Sequence, residues 1–188
     1  LSTFLPNDNP VFAIWQLLSL SFPVPLHLKI YLVMQATILF AISVLMSLIV
    51  WNKVSKKYLW PHIKDMELKK AAQPILLLNS FRFAGLSFFI PGIVHAGLNP
   101  ALALPAAIGD FTAAVLAFTT LSLANTSLFR PFLRLFNILG FADLLLAFVN
   151  GPRYNILPFL GPAYYIVILY VPLLLLTHLT VFRLLLKK

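Results

Sequence analysis

The stretch LHLKIYLVMQATILFAISVLMSLIVW, residues 26–51, decides the fold. It carries no charged residue after Lys29. A bilayer core about 30 Å thick is crossed by roughly 20 apolar residues in an α-helix. In lipid the backbone polar groups must bond within their own segment, which a helix achieves and an irregular chain does not. The composition of the whole chain agrees. Of 188 residues, 61% are hydrophobic and 10% charged, against roughly 25% charged in an ordinary soluble domain. Mean hydropathy is +0.93.

Working outward, four further apolar segments follow, and the spans are expected near residues 26–51, 75–95, 100–123, 131–150 and 158–186. Pro91-Gly92 predicts a kink or an early end in the second. Asn99-Pro100 reads as a helix start, because Asn caps free N–H groups and Pro lacks one. Arg130-Pro131 opens the fourth span, Asn150-Gly151-Pro152 closes it, and Pro172 lies inside the fifth. The expected fold is therefore an all-α integral membrane protein, a single transmembrane domain built as a bundle of about five helices. No separate soluble domain fits within this length.

Residues 1–25 hold Pro6, Pro10, Pro23 and Pro25 around a short apolar run, Val11 to Phe22. That run is too short to span, so it reads as an interfacial or re-entrant segment with Trp15 in the headgroup region. A sixth span over residues 11–22 is the alternative. Near Leu1 no basic region precedes an apolar run and a small-residue cleavage site, so no signal peptide is expected.

Charge placement orients the bundle. Lys53, Lys56, Lys57, Lys64, Lys69 and Lys70 fall in a basic loop, residues 52–73. With five spans this loop shares one side with residues 124–134 and the C-terminal Arg183, Lys187 and Lys188. Eleven of the fourteen Lys and Arg residues collect there. The positive-inside rule makes that side cytoplasmic and puts the N-terminus outside, in a plasma or inner membrane. The formal charge of +9 then points to anionic lipid headgroups rather than nucleic acid, since the basic loop adjoins the membrane and lacks an aromatic platform.

Several residues contradict this apolar setting. Asp110 and Asp143 are two of only five acidic residues, and both sit near mid-span, where a carboxylate costs about 2.5–3.5 kcal/mol. Asp110 lies roughly 15 Å from the start of the third span, and Asp143 roughly 18 Å from the start of the fourth. Arg82, Asn79, Asn137 and His178 fall in the same central-to-inner layer, on other spans or other turns. Intramembrane ionisable groups usually face the bundle interior and mark ion or substrate paths. Ala103, Ala106, Ala107, Gly109, Ala113, Ala114 and Ala117 surround Asp110 with side chains small enough for close helix approach. The ligand- or proton-binding candidates are thus Arg82, Asp110, Asp143, His178, Asn79 and Asn137.

Each has a plainer reading. Arg82 could snorkel to the headgroups along its own stem, Asn79 could serve as an interhelical hydrogen bonder, and His178 could bond only a backbone carbonyl. Asn137 and Asp143 lie about 120° apart around one helix, so one narrow face cannot present both. Tyr164, Tyr165 and Tyr170 fit an aromatic interface belt.

Three functions remain open. The first is binding or translocation of a small solute or a proton through the polar cluster, with Arg82 holding an anion or resetting an Asp. The second is a structural or accessory subunit whose buried charges pair internally or with a partner helix. The third is a metal-dependent membrane enzyme with Asp110, Asp143 and His178 as ligands. The chain has no cysteine, no phosphate loop and no nucleophile or zinc-protease motif. No cofactor is predicted, the expected partners are the bilayer and a small-molecule ligand, and oligomerisation stays open.

Overall fold

A computed structural model describes residues 25–187, leaving the 11–22 segment and Trp15 outside the described residues. The chain divides into two units, Leu1–Leu39 and Phe40–Lys188. The described part of the first is helical, and within it the Gln35 amide donates to the Tyr31 hydroxyl at 2.6 Å. That bond pairs two polar groups one helical turn apart.

Helix α1 runs Leu26–Val54, and a π-turn at Ser55–Leu59 joins it to the short α2, Trp60–Ile63. Helix α3, Leu68–Ser80, passes directly into a 3-10 helix at Phe81–Phe89. Helix α4 is Pro100–Ser122 and α5 is Phe129–Arg153. Short 3-10 turns and a π-turn at Ile166–Tyr170 lead into α6, Val171–Leu186. Among the described residues there is no strand. Among the described residues, four helical stretches are long and apolar enough to cross a bilayer: Leu26–Ile63, Pro100–Ser122, Phe129–Arg153 and Gly161–Leu186.

The second apolar segment behaves differently from its sequence reading. Its helix begins at Leu68 rather than near residue 75, and it ends at Phe89 rather than near 95. Thirteen α residues followed by nine 3-10 residues extend about 37 Å, because the 3-10 form rises about 2.0 Å per residue. Beyond Phe89, Ile90 is extended and Gly92 takes φ 87°, a conformation that Gly adopts without strain. Pro91-Gly92 therefore ends the helix instead of kinking it.

Other boundaries follow local chemistry. The Asn99 side chain accepts from Ala101 N at 2.9 Å, the cap that Asn99-Pro100 predicts. The fifth segment is less regular than expected: in the π-turn before Pro172, Val171 N bonds Ile166 O, five residues back. Proline removes a donor, and widening the preceding turn accommodates that loss. The Trp51 indole donates to Leu169 O at 3.0 Å within this turn.

Within residues 40–187 the helices form a bundle. Helix α4 packs against α3 with its 3-10 extension and against α5, while α6 packs on α3 and α5. At one end, here the basic end, Lys69 reaches Asn125 and Lys187 donates to the Lys64 carbonyl. At the other, His95 N bonds Phe159 O at 2.9 Å. Towards the basic end an apolar core gathers Ile63, Ala72, Leu76, Ala117, Leu133 and Phe136, joined by Val181 and Leu184 of α6.

Candidate functional site

Arg82 sits on the first turn of the 3-10 helix and is completely buried. It does not snorkel. A 3-10 helix has three residues per turn, so residues i and i+3 eclipse. Arg82 and Gly85 therefore share one face, and both are buried. A Cβ on Gly85 would lie 2.5 Å from the Asp110 Cβ, so the glycine is what lets α4 bring its carboxylate alongside.

Every donor of the guanidinium is used. Arg82 Nε donates to Asp110 Oδ1 at 2.8 Å, and Nη2 lies 2.8 Å from the same oxygen. Nη2 also donates to Asp143 Oδ2 at 2.7 Å. Nη1 lies 3.2 Å from both Gly140 O and His178 Nε2. An arginine has five N–H groups and no acceptor, so all five have partners in the protein. Arg82 is thus fully engaged within the protein.

These contacts fix the state of His178. Arg82 can only donate, so His178 Nε2 accepts and carries no proton. Its Nδ1 lies 2.9 Å from Asn137 Oδ1, an amide oxygen that can only accept. His178 is therefore neutral with its proton on Nδ1. Turning the Asn137 amide over would leave both ring nitrogens facing donors, which a neutral imidazole cannot satisfy. Nitrogen NMR of histidine-labelled protein should show His178 with Nδ1 protonated and Nε2 bare at neutral pH. The reverse tautomer would contradict the Arg82 contact.

The remaining candidates adjoin this core. Asn79 donates to Thr177 Oγ1 at 3.1 Å and to Ile75 O at 2.9 Å, so it does bond between helices. Asn137 and Asp143 both reach the cluster despite their angular separation, Asn137 through His178 and Asp143 through Arg82, which lie 3.2 Å apart beside Gly140. The rings of Phe136 and Phe141 stand 5.0 and 6.4 Å from the His178 ring. Among the described residues, Asn79 Oδ1 and Asn137 Nδ2 are buried without a hydrogen-bond partner. The Tyr170 hydroxyl donates to Leu78 O at 2.7 Å.

Two further glycines complete the assembly. A Cβ on Gly109 would come 2.5 Å from Asp143 Cγ, and one on Gly140 would come 2.6 Å from His178 Cε1 and 2.9 Å from Arg82 Nη1. One glycine on each of three segments thus makes room for the cluster: Gly85 for Asp110, Gly109 for Asp143, and Gly140 for both His178 and Arg82. The sequence reading marked Gly109 only as a small neighbour of Asp110 and passed over Gly85 and Gly140. Their signal was positional: Gly140 precedes Asp143 by three residues, close to one helical turn.

The proposed metal set does not form. The Arg82 guanidinium lies against both carboxylates on one side and His178 Nε2 on the other, where a shared ion would have to sit. Among the described residues no three His, Asp or Glu side chains are grouped to hold a metal ion. Asp110, Asp143 and His178 therefore do not converge on one centre.

The cluster is unevenly buried. The Asp110 and Asp143 side chains keep 15% and 23% of their surface exposed, whereas Arg82 keeps none. Phe136, Leu133, Leu76 and Val181 belong to the apolar core on the basic-end side. The carboxylates are the least buried part of the ion-paired cluster.

No curated protein and no solved structure matches this chain. A family model described as a domain of unknown function (DUF8737) matches residues 39–186, a range that includes every member of the cluster from Asn79 to His178. The chain belongs to that family.

Proposed function

We propose that the protein is an integral membrane protein crossing the bilayer five times, and that its Arg82–Asp110–Asp143 cluster takes up and releases one proton. The fifth crossing is α3 with its 3-10 extension, which is long enough although only its first part is α-helical. Residues 52–70, 125–134 and 183–187 face the cytoplasm, where the basic side chains meet anionic headgroups.

The observation that supports the proton is a charge count. One guanidinium meets two carboxylates, and His178 is neutral by its hydrogen bonds. Two ionised carboxylates would leave one uncompensated negative charge in a low-dielectric layer, where isolated charges are costly. A proton on one carboxylate restores neutrality. The exposed carboxylate surface and the apolar core towards the basic end support uptake from the side opposite that end. Release to the cytoplasm would require Arg82 and the apolar core beneath it to shift.

Infrared difference spectroscopy of the reconstituted protein tests this directly. A protonated-carboxyl carbonyl band should be present near neutral pH, titrate away in base, and vanish in Asp110→Asn/Asp143→Asn. Its absence from the wild type would end the proposal. Liposomes carrying an internal pH dye then distinguish carriage from storage: saturable proton entry lost in Asp143→Asn supports carriage.

A second reading draws on the complete use of Arg82's donors. A guanidinium so fully bonded also suits an accessory subunit in which the charges fix helix register. In that case neither Asp substitution changes flux, and the carbonyl band is static across pH.

A further inference from the structure

We infer that the basic end carries a binding site for the phosphate of an anionic glycerophospholipid, in the groove between Lys64, Arg130 and Lys187. This inference rests on the membrane reading above but not on the proton reading.

The groove is open, with a volume of about 370 Å³. Three cations line it, Lys64, Arg130 and Lys187, with one acid, Asp65. Asp65 meets Lys64 at 3.7 Å and Lys187 at 3.6 Å, both long for ion pairs. Arg130 is exposed and has no polar partner among the described residues. The groove therefore holds an excess of two positive charges, and its planar bidentate donor is uncommitted. Arginine's fork matches two phosphate oxygens at once.

Backbone adds to the same field. Leu68 is the first residue of α3 and Arg130 the second of α5, so two helix N-termini border the groove. Neither N-cap side chain bonds into its helix. In α5 Phe129 N bonds Thr126 O, Phe132 N bonds Leu128 O and Pro131 has no N–H, so the first turn of α3 supplies most of the uncommitted N–H groups and positive dipole. The remaining walls are apolar: Met66, Leu68 and Leu184. A soluble anion has no use for them, whereas a lipid's glycerol and first acyl carbons do. The site also lies where the apolar helices give way to the basic turns, at headgroup depth. Together, phosphate donors, an apolar wall and this depth commit the occupant to a lipid.

The test is native mass spectrometry of delipidated full chain in neutral detergent, with phosphatidylglycerol or phosphatidylcholine added. Wild type should retain phosphatidylglycerol in preference, and Arg130→Gln should weaken retention about fivefold, the effect of one cation near an anionic headgroup. Arg130→Lys should retain most of it. Equal retention of the two lipids, or unchanged retention in Arg130→Gln, would overturn the assignment. Displacement of the lipid by millimolar inorganic phosphate would also overturn it, by identifying a phosphate-ion site instead. Arg130 touches nothing in the proton cluster, so the carbonyl band should persist in Arg130→Gln. Loss of the lipid effect and loss of that band are thereby separate results.

Discussion

Arg82→Met is expected to lower stability by about 3–5 kcal/mol, the usual cost of removing one partner from a buried ion pair. Most of that cost lies in the groups the substitution leaves without a donor. Two carboxylates, the Gly140 carbonyl and His178 Nε2 would all face an apolar thioether. The triple variant Arg82→Met/Asp110→Asn/Asp143→Asn should recover much of the loss, because neutral amides carry no charge to leave unpaired. Thermal unfolding in a single detergent, comparing the four proteins that complete the cycle, measures this. Additive losses would mean that the three residues act independently, contrary to the shared guanidinium.

Gly109→Ala should also be strongly destabilising, against the ordinary trend. On helix propensity alone the change should stabilise α4 by about 1 kcal/mol. Instead the new methyl falls on the Asp143 carboxylate, 2.5 Å from its Cγ. Overpacking costs typically about 1–3 kcal/mol, and displacing Asp143 also weakens its 2.7 Å bond to Arg82. In an Asp143→Ala background the space is vacant, so the same Gly109→Ala change should cost little or become favourable. A sign change between the two backgrounds is the expected signature, read from unfolding midpoints. The same penalty in both would place the obstruction elsewhere on α5.

Much of the helical architecture was legible because it rests on short-range chemistry. Asn99-Pro100 set the start of α4, Pro91-Gly92 ended the second segment, and long apolar runs marked the helices. The segment 68–89 was misplaced at both ends for an equally local reason. Lys69 and Lys70 resemble loop residues, yet they occupy the first turn of α3, where Lys69 is tied to Asn125. The switch to a 3-10 helix at Phe81 had no local marker, and it decides where Arg82 and Gly85 point.

From the sequence alone came a set of polar residues too costly to leave in lipid and small residues dense enough for helices to approach. Cost is a property of one residue in its solvent, so composition and spacing suffice to expose it. Pairing is different, because it depends on rotations and offsets between helices far apart in the chain. Only the tertiary structure put Arg82 between two carboxylates and a histidine, and so kept Asp110, Asp143 and His178 from grouping as a metal set. It also gave three glycines their purpose: absence of a side chain acquires meaning only when another helix fills the space.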